Sequence, residues 1–177
     1  MLHQAKQKDS IGFVPILSDS RVSLRLIGSS DIEQLLPISY YNGTLATSVQ
    51  DAENMHHKIN QDILEGNSIH WAIVEKSSNK IAGTCGFYRG FAHGLGELGC
   101  VLLPAFQGKG IMTAALILAI EYGFQRSCLK KIWAVTSPDN LKATRLLEGL
   151  KFKKVGELNG EVRFELFLID FNLEKFR

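Results

Sequence analysis

Cysteine is scarce in this sequence and badly placed for cross-linking. The three, Cys85, Cys100 and Cys128, are odd in number and no pair has metal-ligand spacing. That argues against a disulfide framework and a thiolate metal site, and a reducing cytoplasm is the expected compartment. Excess charge is also missing. The formal net charge is +2, whereas a nucleic-acid coat or a membrane-surface protein needs a concentrated basic face. No apolar run reaches ~18 residues free of charge, so no transmembrane helix is expected. Residues 1–10 are polar and hold no apolar core, so no secretory signal is expected there. Repeats, low-complexity tracts and convincing linkers are absent too.

What is present is ordinary globular material. Hydrophobic residues make up 45 % and charged residues 21 % of 177, which suits one domain over residues 1–177, with 1–15 as a loose start. A chain of that length buries roughly two-thirds of its unfolded surface. Residues 22–27 alternate apolar and polar with period two, as a half-buried strand does. Ser30, with Glu33 three residues on, reads as a capping box opening a helix. A short extended piece is expected at 13–17, a loop at 41–50 and a second helix at 51–65. Strands are expected at 69–75 and 81–88 around turn chemistry at 77–80. A glycine-rich loop, 89–96, follows. After a strand at 131–136, Ser137 and Pro138 read as cap and first turn of a helix ending at Gly149. Strands at 152–158 and 161–171 flank Asn159-Gly160, a strong hairpin signal. This order predicts an α/β (α+β) domain with one mixed, mostly antiparallel sheet of about six or seven strands and helices on both faces.

The most informative stretch is 97–113. A short apolar run ends at Pro104, a loop carries Gln107, Gly108, Lys109 and Gly110, and an apolar helix follows. The first amides of a helix lack internal partners and sit at the positive end of its dipole, so they suit an anion. A dinucleotide fingerprint needs a third glycine and a P-loop needs Ser or Thr after Gly-Lys; neither is present. A plain strand–helix turn is the remaining bland alternative.

Taken together, 16–25 (ILSDSRVSLR), 96–102 (GELGCVL), 106–113 (FQGKGIMT) and 140–152 (NLKATRLLEGLKF) resemble the GNAT superfamily of acetyl-CoA-dependent N-acetyltransferases. The closer likeness is to the RimJ/RimL-like branch, whose members acetylate N-termini of ribosomal proteins. The resemblance implies that amides of Gln107, Gly108, Lys109, Gly110, Ile111, Met112 and Thr113 bind the pyrophosphate of CoA. Met112 stands where the family pattern has a small residue. It also implies that Cys100, Val101, Leu102 and Leu103 align the pantetheine arm, with an oxyanion met by a backbone N–H near 99–101.

For the chemistry, Glu97 is the candidate general base, weighed against an ordinary strand-edge carboxylate. Asn140 and Thr144 lie one helical turn apart. The resemblance implies that Asn140 orients the cofactor arm or a water, and that Thr144 meets the departing sulfur. Other members use a tyrosine there, and no clear equivalent is visible. Cys100 raises an acyl-cysteine route, against which an inert buried thiol is the simpler reading. His70 and His93 are possible acid–base groups, more simply structural. His56 and His57 cannot share a helix face, and no metal is expected. Trp71 and Trp133 read as core. The expected activity is acetyl transfer to a primary amine, such as a protein N-terminus, in a ternary complex. The alternatives are a small-amine acetyltransferase and a non-catalytic acyl-CoA sensor. Nucleic acid and membrane are not expected partners, and both a monomer and a homodimer remain open. The acceptor is expected between residues 29–66, the loop 89–96 and the final hairpin.

Overall fold

The computed structural model describes residues 14–89, 92–172 and 174. Most of the loose start, Phe13 and two positions of the 89–96 loop thus lie outside the described residues. Ten strands and four α-helices follow one another: β1 Leu17–Ser18, β2 Val22–Arg25, α1 Ile32–Leu35, β3 Tyr40–Tyr41, β4 Thr44–Leu45, α2 Val49–Leu64, β5 Ile69–Glu75, β6 Lys80–Phe87, β7 Leu95–Leu102, α3 Ile111–Gln125, β8 Lys131–Thr136, α4 Leu141–Gly149, β9 Lys153–Leu158 and β10 Glu161–Phe167. Eight strands form one sheet in the order β1-β2-β5-β6-β7-β8-β10-β9, one or two more than expected, and β3-β4 stand apart as a small hairpin. Among the described strands only β7 and β8 run parallel, joined through α3.

The alternation of side chains across the sheet divides the core. On one face Trp71, Ile73, Cys85, Phe87 and Leu98 pack with α3, whose Ala114, Ala115, Ala119 and Ile120 are wholly or almost wholly buried. Alanines let the helix approach the sheet closely. Trp71 is fully buried and its Nε1 donates to Pro15 O at 2.9 Å. Truncating such a ring costs about 3–5 kcal/mol. On the other face Ala72, Val74 and Ile81 pack with Ile27, Leu35 and Ile38 around α1, and α2 lays Ala52, Met55 and Ile63 inward.

Several local expectations are corrected. Ser30 is not the cap of α1. Gly28 N donates to Asp31 Oδ2 at 2.7 Å, and Arg25 holds the same carboxylate with bonds of 2.6 and 3.1 Å. Burial alone would raise the Asp31 pKa, but Arg25 and the Gly28 amide outweigh it and lower it. The helix start is thereby tied to β2. The 41–50 stretch is not plain loop. Asn42 and Gly43, with φ of 48° and 78°, close the β3–β4 hairpin, as an Asn-Gly pair does in a tight primed turn. Ser48 Oγ accepts from Asp51 N at 3.1 Å, so α2 begins earlier than expected. Ser137 does not cap α4; Asn140 does, its Oδ1 accepting from Ala143 N at 3.1 Å. Trp133 is half-buried rather than core, with the Arg163 guanidinium 4.3 Å from its ring centroid.

Candidate active site

The parallel strands β7 and β8 pair only at Leu95–Glu97 with Lys131–Trp133. From Leu98 onward β7 keeps β6 on one edge. Its other edge has no strand partner among the described residues. Tyr88 N donates to Glu97 O and Leu103 N to Ala82 O, so odd-numbered positions bond β6. Backbone groups alternate along a strand, so the N–H groups of Leu98, Cys100 and Leu102 face the free edge. An amide-bearing chain can pair with such an edge as an added strand would. Gln107 lies at its far end, its Nε2 donating to Leu102 O at 3.5 Å.

The turn beyond the edge is built from backbone. Gly108 and Gly110 have φ of 75° and 73°, and Gly110 is the N-cap of α3. A residue with Cβ is strained in that region. Ile111 and Met112 send their side chains into the core. The larger side chain at Met112 therefore leaves the turn uncrowded, and the first amides of α3, ahead of the Ala114 N–H that bonds Gly110 O, have no intrahelical acceptor. Cations gather there. A Cβ on Gly110 would lie 3.1 Å from Arg21 Nη1, and Lys142 Nζ donates to Gln107 Oε1 at 3.4 Å. Lys109 Nζ lies 5.4 Å from the Phe106 ring centroid. Lys142 also brings the first turn of α4 beside the turn. Asn140 is exposed with Oδ1 committed to its cap, which leaves its amide N–H groups for other partners; Thr144 is half-buried. The donor set suits a pyrophosphate. Arg21 was not legible as part of it.

On the opposite face of β7 lies a cavity of about 320 Å³ between the sheet, α1, α2 and the β3–β4 hairpin. The sheet contributes a row one register step beyond Ile69↔Phe87 and Phe87↔Leu98, namely Ser68, Tyr88 and Glu97. Helix α2 contributes Met55, His56, Ile59 and Asp62. Glu97 is 9 % exposed. Desolvation raises its pKa above the ordinary carboxylate range, and Arg89 opposes the shift. Arg89 Nε stands 3.1 Å from Glu97 Oε2, within ion-pair range, yet that oxygen receives no aligned hydrogen bond. Arg89 itself is largely exposed.

Two histidines line the cavity as neutral groups. Burial pulls His70 down to about 3. His56, with Nε2 3.3 Å from Ile27 O, is lowered for the same reason. The Tyr88 hydroxyl lies 3.2 Å from His70 Nε2, and desolvation raises the phenol well above its usual range. The ring rests on Gly99, where a Cβ would come 2.1 Å from Tyr88 Cε2. Ser68 Oγ, His70 Nδ1 and Glu97 Oε2 are buried without hydrogen-bond partners, and all three residues line this one cavity. The neutral orphans Ser68 Oγ and His70 Nδ1 each cost about 1–3 kcal/mol, which a polar ligand can return.

Cys100 is not buried as expected; it is exposed. Protein crowding at the strand edge still desolvates its thiol and pushes it up to about 12. A thiol held protonated is a poor nucleophile. Tyr88 and Asp62 were missed as site residues, and His70, weighed as a possible acid–base group, lines the cavity. No spacing links Asp62, Ser68, Tyr88 and Glu97; they meet only through the sheet register and α2. Among the described residues no group of three metal-ligating side chains comes together, and no helix is long and apolar enough to cross a membrane.

A family model described as an acetyltransferase (GNAT) domain matches residues 8–153. The chain is 35 % identical over 132 residues to an uncharacterized N-acetyltransferase, p20, of Bacillus licheniformis, covering 74 % of each. It is 36 % identical over 69 residues to spermidine N(1)-acetyltransferase of Escherichia coli, 39 % of this chain and 37 % of that one. Mycobacterium smegmatis RimJ, solved with CoA-disulfide, superposes with a TM-score of 0.77 over 90 % of both chains at 16 % identity, a likeness of fold.

Proposed function

The chain belongs to the GNAT acetyltransferase family, and from that premise we propose that it moves an acetyl group from acetyl-CoA to a small cationic amine, with Glu97 as general base. The observation that carries this reading is the position of Glu97. It is a buried carboxylate, ion-paired with the exposed Arg89 but with no aligned hydrogen bond at Oε2, set between an acid-bearing cavity and the free edge of β7.

The turn at 107–113 holds the pyrophosphate, with Arg21 and Lys142 adding charge. Cys100, Val101, Leu102 and Leu103 align the pantetheine arm, to which Asn140 offers its amide N–H groups. Glu97 takes a proton from the acceptor ammonium and frees the nitrogen lone pair to attack the thioester carbonyl carbon. The Cys100 N–H donates to the carbonyl oxygen as it gains charge. The C–S bond breaks with its electron pair going to sulfur, the second proton that the nitrogen must lose to become an amide passes to that sulfur to give the CoA thiol, and Thr144 hydrogen-bonds the sulfur as it leaves. Glu97 returns its proton to solvent.

The acceptor is the finer question, and the RimJ/RimL-like branch first suggested a protein N-terminus. Similarity to a spermidine enzyme supports a small amine instead, and so does the cavity. It presents Asp62 and Glu97, while its two histidines stay neutral. A non-catalytic sensor would need the turn but not the base.

Release of CoA thiol, measured with a panel of amines and N-terminal peptides, tests the reading. Acceptor-dependent release with small amines is expected. Acetyl-CoA binding with no release from any acceptor would leave the sensor.

A further inference from the structure

We propose that Asp62, with Tyr41 and Ser68, forms a second subsite that takes the distal ammonium of the acceptor, so that the substrate is a linear diamine or polyamine. The inference rests on the acetyltransferase reading above and adds the chemistry of the acceptor's far end.

Asp62 lies at the end of the α2 stripe that lines the cavity. Asn67 N donates to Asp62 O at 2.8 Å, closing the helix end so that the chain passes directly to Ser68. Asp62 and Ser68 therefore share one end of the cavity, and Glu97 stands across the sheet row from them. Two strand spacings separate Ser68 from Glu97, roughly 10 Å. An extended chain carrying a nitrogen at each end can bridge that gap, one nitrogen at Glu97 and the other at Asp62.

The charges agree. Arg89 already faces Glu97, whereas Asp62 has no ion pair among the described residues. Lys58, one helical turn before it, instead rests 5.5 Å over the Tyr41 ring. The Tyr41 hydroxyl donates to Asp62 Oδ2 at 3.4 Å, a long bond that an ammonium can replace. Tyr41 is raised by desolvation and then by the negative field of Asp62 and Glu65. Ser68 Oγ, buried and unpartnered on the same cavity wall, supplies a neutral acceptor beside the carboxylate. The Tyr41 ring, which already carries the Lys58 ammonium, adds an aromatic face suited to a cation.

The test compares putrescine with butylamine, a monoamine of the same carbon count, by kcat/KM for acetylation in the wild type and Asp62→Asn. Wild type is expected to prefer the diamine by about tenfold or more, the worth of one charge-assisted hydrogen bond. Asp62→Asn is expected to collapse that ratio toward one. Circular dichroism and CoA affinity report whether the variant is folded. Equal use of both amines by the wild type, or an unchanged ratio in Asp62→Asn, overturns the subsite. Acetylation of peptide N-termini but of neither amine overturns the diamine and leaves acetyl transfer standing. Absence of thiol release with every acceptor overturns both.

Discussion

The two sides of β7 are built by different means. The side proposed to hold the cofactor is backbone: a strand edge, a turn with two positive-φ glycines, and the first amides of α3. Its side chains are mostly turned away, as Ile111 and Met112 show by lying in the core. The acceptor side is assembled from side chains of α1, α2, the β3–β4 hairpin, β5, β6 and β7. A backbone site depends on a few adjacent residues and tolerates changes around it. A side-chain site depends on how distant segments pack, and can be retuned position by position. The division suits an enzyme family that keeps its donor and varies its acceptor.

If that division is right, damage on the two sides should separate. The largest effect is expected from Glu97→Gln, which removes the base without changing shape. Its kcat should fall about 100-fold or more, while CoA affinity by calorimetry stays at the wild-type value. Loss of CoA binding would mean that Glu97 belongs to the cofactor side. Gly110→Pro should do the opposite. Proline cannot adopt the φ of 73° at this cap, so the amides that meet the pyrophosphate are misaligned. CoA affinity is expected to drop about tenfold or more, the cost of one or two charge-assisted bonds. Affinity as in wild type would break the assignment of the turn.

A subtler pair sharpens the comparison. Arg89 lowers a Glu97 pKa that desolvation raises. A base works only when deprotonated, so the rate falls as pH drops through its pKa. Arg89→Ala should therefore move the acid limb of kcat to higher pH, because the charge favouring the carboxylate is gone. Arg89 is exposed and screened, so the move should be modest. A limb that stays put, or moves down, would remove Arg89 from the acceptor side. Smallest is Thr144→Ala. If its hydroxyl meets the sulfur, kcat should fall about fivefold, near the worth of one neutral hydrogen bond. An unchanged rate removes that role.

The same division explains what could be read before folding. The cofactor side was legible because its signals are local: an apolar run, paired glycines and an apolar helix, all within 97–113. The strands at 69–75 and 131–136 were legible for the same reason, since each holds four apolar residues in a row, 71–74 and 132–135. The acceptor side was not. Asp62 looks like one more solvated charge on α2, and Tyr88 like a strand end. Only the register that aligns Ser68, Tyr88 and Glu97 brings them to one wall. The Asn42-Gly43 turn was a local signal and was there to be read; two-residue strands gave too little alternation to flank it. Asn140 displaced Ser137 as the cap because Ser137 Oγ, at 3.4 Å from Asp139 N, serves the preceding turn instead. Arg21 reaches the 107–113 turn from the distant bend between β1 and β2, and nothing in its own neighbourhood signals that.

Glu97 is the residue proposed to carry the proton. The most direct test is the pH dependence of kcat for wild type and Glu97→Gln at saturating acetyl-CoA and amine. Wild type should show an acid limb above the ordinary glutamate value of about 4.3, in keeping with the upward shift from burial. Glu97→Gln should lose both that limb and most of the rate. A variant that keeps the limb at its wild-type position would contradict the account and assign the proton to another group.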